Sequence, residues 1–257
     1  MRDCPACGSA ASHPLKLYSR GEWQVCACDA CGFVYLKNPP AYERLVDEFA
    51  WEKTWAEEKT RRAREGGAIK LLDRLFAFRW RFRRDSGARY RQVFGQGKIL
   101  DVGCGPGFVL PEPLIPFGIE PSAALHARAD AAMRARGGYA LFGPAIDRLK
   151  DFPEGFFDGV LMSSILEHEA NPKALLRGVH RVLADGGKLY LKQPNFGSSN
   201  RKLTGAKWCG FRYPDHVNYF TIPQMRRMAE EAGYDFKQLN RFAPFSDNMH
   251  VLLTKRA

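Results

Sequence analysis

Lys98-Ile99-Leu100-Asp101-Val102, followed at once by Gly103-Cys104-Gly105-Pro106-Gly107, is the stretch on which the reading of this chain turns. The first five residues have the pattern of a short strand buried in a parallel sheet. Glycines directly after such a strand let backbone N–H groups approach a ligand where a side chain would block it. The next apolar run, Phe117-Gly118-Ile119-Glu120, closes on an acid. Its distance from the glycines suits a carboxylate that binds both ribose hydroxyls of a nucleoside cofactor. A glycine turn alone is weak evidence; strand, turn and carboxylate together are strong.

Outward from this core the texture keeps alternating. Phe156-Phe157-Asp158-Gly159-Val160-Leu161-Met162 predicts another central strand, and Leu166-Glu167-His168 follows it. A helix is expected from Pro172 to Leu183, a turn at Asp185-Gly186-Gly187, and a strand over Lys188–Lys192 running out at Gln193-Pro194-Asn195. A further helix over Pro223–Ala232 leads into two late strands, around Tyr234–Phe242 and His250–Thr254. This rhythm predicts an α/β fold with a parallel sheet covered on both faces. Only 12 residues separate Gly107 from Glu120, and Pro111, Pro113 and Pro116 are among them. Three prolines forbid a normal helix interior, so the helix expected there is shortened or irregular.

The cysteines divide cleanly. Cys4-Pro5-Ala6-Cys7 and Cys28-Asp29-Ala30-Cys31 are two C-x2-C pairs with 20 residues between them. Each pair offers two thiolates from one tight turn, and four sulfurs close a tetrahedron around Zn²⁺. Gly8 and Gly32 follow the pairs, where a knuckle turn favours positive φ. Cys26 is close enough to replace Cys28, and a redox dithiol is the competing use. Four thiolates leave no open position, so the zinc is expected to be structural.

Between these regions lies a basic stretch. Lys59–Lys98 carries thirteen Lys and Arg against three Asp and Glu, nearly all of the chain's +11. Apolar positions from Tyr42 to Arg91 have helical spacing broken at Gly66-Gly67. Such a field suits an anionic partner, whether a phosphorylated substrate, nucleic acid or a lipid surface, although a solvated helix face is as good an account. Aromatics such as Trp51, Trp55, Trp80 and Phe82 are read as packing residues before base-stacking platforms. With 45% hydrophobic and 26% charged residues, the 257-residue chain has the makeup of a soluble globular protein. No stretch approaches the roughly 20 apolar residues of a membrane span. The opening residues contain no apolar leader, and the expected location is cytoplasmic.

The motifs together resemble a class I S-adenosylmethionine (SAM)-dependent methyltransferase carrying an N-terminal zinc ribbon. They are Asp101–Gly107, Gly118-Ile119-Glu120-Pro121-Ser122, Phe157-Asp158, Leu166-Glu167-His168, Asn171-Pro172, Arg181-Val182-Leu183, Gly186-Gly187 and Pro194-Asn195. Pro214-Asp215-His216-Val217-Asn218-Tyr219-Phe220-Thr221 resembles a segment of bacterial members acting on sugars and small metabolites. The resemblance implies a Rossmann-like seven-stranded sheet with its final hairpin antiparallel. It divides the chain into a zinc ribbon (1–40), a basic helical segment (41–96) and a methyltransferase domain (97–257). Gly103, Gly105 and Gly107 would make room for SAM, Asp101 would orient its amino group, Glu120 would hold the ribose and Ile119 would flank adenine. Family members often offer adenine a polar side chain after the third strand; Leu141-Phe142-Gly143-Pro144-Ala145 has none.

His168 and His216 are the candidate general bases, since imidazole titrates near pH 6.5 and can accept a hydroxyl proton. The competing use of Glu167-His168 is to cap the following helix. Asn195 is read as either an acceptor contact or a turn. Three functions follow: a methyltransferase for a small-molecule or sugar-type, anionic acceptor; an RNA methyltransferase gripping RNA by ribbon and basic helices; or a non-catalytic binding protein on a degenerate fold.

Overall fold

The computed structural model describes residues 1–41, 86–107, 110–240 and 246–256. The chain opens with three short antiparallel strands, β1 (Ser12–Pro14), β2 (Val25–Cys28) and β3 (Val34–Leu36). Most of the basic segment lies outside the described residues. Its final part forms helix α1 (Ser86–Phe94), tied to the sheet by Lys188 Nζ donating to the Val93 carbonyl at 2.8 Å.

The strands β4 (Gly97–Val102), β5 (Leu114–Glu120), β6 (Ala140–Phe142), β7 (Phe157–Ser163), β8 (Leu183–Pro194), β10 (Tyr234–Gln238) and β11 (Asn248–Lys255) build one sheet. Its order is β10-β11-β8-β7-β4-β5-β6. Strands β4 to β8 pair in parallel, while β11 runs antiparallel to both β8 and β10. This is the seven-stranded, Rossmann-like sheet with an antiparallel final hairpin that the resemblance implied. Ile99, Leu100, Val160, Leu189 and Leu191 are all at or below 1% exposed, because a parallel strand is covered on both faces.

Helices α2 (Ala123–Arg134), α3 (Ala145–Arg148), α4 (Pro172–Val182), α5 (Ser199–Thr204) and α6 (Ile222–Glu231) complete the α-helices among the described residues. Among the described residues no helix separates β4 from β5, so the three prolines remove that helix altogether. Pro116 sits inside β5, opposite Ile99, but β6 pairs only with Gly118–Glu120. Its missing N–H therefore costs the β5–β6 ladder nothing. A second expectation needs correction. Asp185-Gly186-Gly187 does not separate helix from strand; it lies within β8 as an irregularity, where the register moves from Phe157↔Leu183 to Gly159↔Lys188.

The ribbon is not self-contained. Strand β9 (Asn218–Tyr219), far along the chain, pairs with β3 through Val34↔Tyr219 and Tyr35↔Asn218. Val25, Val34 and Leu36 share an apolar cluster with Phe196, Trp208, Phe211 and Tyr219.

Where β8 meets β11, Tyr190 Oη and His250 Nδ1 are 2.7 Å apart. Burial, then the charges of Arg89 and Lys192, push the His250 pKa down to about 4. The folded state therefore disfavours protonated His250, while the unfolded chain protonates it near pH 6.5. Its contribution to stability is present above pH 6.5 and is lost as the pH falls toward 4. Thermal unfolding of His250→Gln should show a shallower fall in Tm over that window than the wild type. Parallel curves would remove His250 as a cause.

Candidate active site

The carboxyl ends of β4, β5, β7 and β8 open onto one cleft of about 860 Å³, the place where open α/β sheets bind ligands. At its β4–β5 end the glycine turn is latched by Gly103 N–H and Cys104 N–H, both donating to the Ile119 carbonyl at 2.8 and 3.2 Å. Glu120 is 5% exposed and accepts from Gly105 N–H at 2.7 Å and from Ser122 N–H at 2.9 Å. Asp101 lies beside it, and burial followed by the Glu120 charge pushes its pKa up to about 8. Asp101 therefore largely keeps its proton at neutral pH in the empty cleft, and a cationic ligand would favour its ionised form beside Glu120.

The three glycines do different things. All have positive φ (69°, 57° and 77° for Gly103, Gly105 and Gly107), which non-glycine residues rarely adopt. A Cβ on Gly105 would meet nothing within 4 Å, so that position opens on free space. On Gly103 it would lie 2.2 Å from Ile165 Cδ1, and on Gly107 2.8 Å from Ala129 Cα in α2. Gly103 and Gly107 thus admit neighbouring protein. Ile119 and Ala145 also line the cleft, so no polar group comes from the third strand's end.

At the opposite end, β7 runs into a turn through Ser164, a non-glycine residue at φ 60°. Asn171 caps α4, its side chain accepting from Ala174 N–H at 3.1 Å. The helix cap is therefore Asn171, and Glu167-His168 face the cleft instead. Asn218 Nδ2 donates to the carbonyls of Leu166 and Glu169, and Val217 and Asn218 N–H to that of Glu167. This brings His216 beside His168, with rings 4.8 Å apart and nearly perpendicular.

His168 Nδ1 lies 2.8 Å from Asp215 Oδ1, and Asp215 Oδ2 is 2.6 Å from Arg212. Burial is the largest influence on His168 and opposes its charge, but Asp215, by charge and hydrogen bond, and Glu167 together outweigh it and raise the His168 pKa. Asp215 is itself held down to about 2: burial acts against this, and His168 is the main cause. His216 Nδ1 lies 2.8 Å from the Gly210 carbonyl, which can only accept, so Nδ1 carries the proton. Burial, then His168, lowers the His216 pKa to about 3. Glu167 is 1% exposed and neither carboxylate oxygen has a hydrogen-bond partner of sound geometry. Burial raises its pKa against the opposing pull of His168.

The two cysteine pairs converge elsewhere, in the ribbon. Cys4 Sγ is 3.6 Å from Cys31 Sγ, Cys7 Sγ is 3.5 Å from Cys28 Sγ, and all four lie within 4.8 Å of one another. Sulfurs at about 2.3 Å from a common Zn²⁺ stand about 3.8 Å apart in a tetrahedron, so the cluster fits the ion. Gly8 and Gly32 take φ 77° and 69° and donate to the carbonyls of Cys4 and Cys28, giving two matching knuckles. Cys26 is outside the cluster.

A methyltransferase-domain family matches residues 60–239 of this sequence. The chain belongs to that family. A tRNA U34 carboxymethyltransferase of Desulforapulum autotrophicum is 28% identical over 140 residues, 51% of this chain and 41% of that protein. A ubiquinone biosynthesis O-methyltransferase of Cereibacter sphaeroides is 29% identical over 154 residues, 54% of this chain and 60% of that protein. The chain spans about half the length of the curated relatives it matches. A SAM-dependent methyltransferase from Archaeoglobus fulgidus superposes with a TM-score of 0.55 at 18% identity, covering 74% of this chain and all of that one. The [4+2]-cyclase SpnF superposes at 0.50 and 18% identity, covering 66% and 80%. These likenesses carry the class I methyltransferase fold.

In this methyltransferase-family chain, Asp101, Gly103, Gly105, Ile119, Glu120, His168 and His216 all line the same cleft. Gly107 is packed under α2 instead. Asn195 serves a turn, its Oδ1 accepting from Gly197 N–H at 3.0 Å. Sequence reasoning missed Asp215, Arg212 and Glu167 as cleft residues. Glu167 and Asp215 each stand beside a histidine it had singled out, but adjacency in sequence does not say which way a side chain turns.

Proposed function

We propose that the chain is a SAM-dependent methyltransferase acting on a hydroxyl of a small-molecule or sugar-type acceptor. The observation that carries this is Glu120, held by Gly105 N–H and Ser122 N–H beside buried Asp101 at the head of the cleft. Glu120 and Asp101 would hold the ribose and amino group of SAM, and Gly105 leaves room for it. When bound, SAM supplies a methyl group already activated on a sulfonium. The chain's own task is then alignment and removal of the acceptor's proton. His168, His216 and their partners form the acceptor end. A concave cleft of this volume suits a small molecule.

The cleft is acid-rich. Asp101, Glu120, Glu167, Glu169, Asp215 and Asp247 line it against Lys192 and Arg212 among the described residues. The cysteine cluster would hold a structural Zn²⁺, read as about one zinc per chain by metal analysis.

Calorimetry with S-adenosylhomocysteine (SAH) and labelled methyl transfer to hydroxylated small molecules and to RNA test the reading. SAH binding and transfer to a small molecule are expected. No SAH binding would leave a non-catalytic fold. RNA binding whose log–log salt slope is steeper than about −4, with methyl transfer to RNA, would move the acceptor to nucleic acid.

A further inference from the structure

The acceptor end contains a carboxylate that alignment and cofactor binding leave unused. One oxygen of Glu167 and one ring nitrogen each of His168 and His216 lie within 4.8 Å of one another. We propose that Glu167, His168 and His216 form a binding site for a divalent transition-metal cation. The proposal rests on the methyl-transfer reading for its role, but not for its geometry.

Three observations carry it. First, each imidazole is already oriented through Nδ1: His168 by Asp215, at 2.8 Å, and His216 by the Gly210 carbonyl, also at 2.8 Å. Nε2 is the nitrogen left in each ring, and a carboxylate or carbonyl behind a histidine is the usual support of a metal ligand. Second, Glu167 is 1% exposed, and although the Ser164 side chain and its own N–H approach the carboxylate, neither oxygen has a hydrogen bond of sound geometry. A buried acceptor in that state is costly unless something positive meets it. Third, the closure is small. Three ligands at about 2.1 Å from a common ion in a tetrahedral arrangement stand about 3.4 Å apart, so shifts of about 1 Å or less in each side chain complete the site.

Two imidazoles and one carboxylate suit Mn²⁺, Fe²⁺, Co²⁺ or Zn²⁺ better than Ca²⁺ or Mg²⁺, which prefer oxygen alone. Three protein ligands leave positions open to the cleft. An acceptor hydroxyl on such a position has its pKa lowered by the cation and releases its proton to solvent. Asp215 then acts as a positioning residue, holding the His168 ring toward the ion.

Mn²⁺ titrated into the full chain adjusted to one equivalent of zinc, so that the ribbon alone is loaded and the Glu167 site is free, with free Mn²⁺ followed by electron paramagnetic resonance, tests this apart from activity. Saturable binding of one Mn²⁺ per chain is expected. Glu167→Gln and His216→Asn should each weaken it at least about tenfold, and Asp215→Asn about tenfold, as outer partners of metal ligands do. SAH affinity in the same variants reports folding. Should Glu167→Gln lose SAH binding, His216→Asn carries the comparison. Absence of saturable Mn²⁺ binding in the wild type overturns the proposal, and so does binding that a folded Glu167→Gln leaves unchanged. Mn²⁺ bound by a wild type that ignores SAH keeps the metal site and removes the methyl-transfer reading. SAH bound without Mn²⁺ does the reverse.

Discussion

Glu120→Ala is expected to weaken SAH binding at least tenfold, and the loss should be mainly one of affinity. Two bonds from ribose hydroxyls to a carboxylate would disappear, and hydrogen bonds to charged groups contribute about 1.5–3 kcal/mol each. Glu120 also accepts from Gly105 N–H and Ser122 N–H. Its removal leaves both donors without that partner and loosens the glycine turn that would face the cofactor. Glu120→Gln separates the two effects, since an amide keeps one acceptor oxygen and the shape but not the charge. It should fall between wild type and Ala in calorimetry. Unchanged affinity in Glu120→Ala would put the cofactor site elsewhere.

The second large effect is expected from the ribbon. Cys28→Ser should release zinc and reduce methyl transfer by about a hundredfold, while SAH affinity stays within about threefold. Structural zinc contributes on the order of 10–16 kcal/mol in zinc-finger peptides, so a ribbon without it does not hold its strands. Those strands hold more than themselves. β3 pairs with β9, and Arg2, two residues before Cys4, donates to the Leu36 carbonyl and to Asn218 Oδ1. Gln224 Nε2 at the start of α6 donates to the Gly32 carbonyl in the second knuckle. His216 is two residues before β9, so losing the ribbon frees the acceptor side of the cleft. The Glu120 end depends on β4 and β5 and should not move. Cys26→Ser, whose sulfur lies outside the cluster, should retain zinc and activity. Full activity in zinc-free protein would falsify this coupling.

These two effects fall on opposite sides of what could be read from the sequence. The strand at 97–102, the glycine turn and the carboxylate at Glu120 were legible, as were the paired knuckles, because each signal lies within a few residues. Short-range sterics and the reach of one side chain determine them. Helices α4 and α6 were legible within a residue or two for the same reason: capping residues and proline act locally. Where local signals competed, the sequence reading went astray. Asp185-Gly186-Gly187 has turn composition and pairs with neither β7 nor β11, yet Leu183, paired with Phe157, already begins the strand before it.

The sequence by itself determined the class of fold, the two thiol pairs and the carboxylate that closes the second strand. It could not show that Gly107 serves packing alone, that Gly103 both lines the cleft and admits Ile165, and that Gly105 opens on free space, since that depends on Ile165 and Ala129 arriving from elsewhere. Nor could it set Glu167 against His216, or Asp215 against His168. Those meetings depend on Asn218 bonding back to the Leu166–Glu169 turn and on β9 joining the ribbon's sheet. Contacts between residues some 50 to 180 positions apart are selected by the burial and hydrogen bonding of the whole chain, which no local pattern encodes.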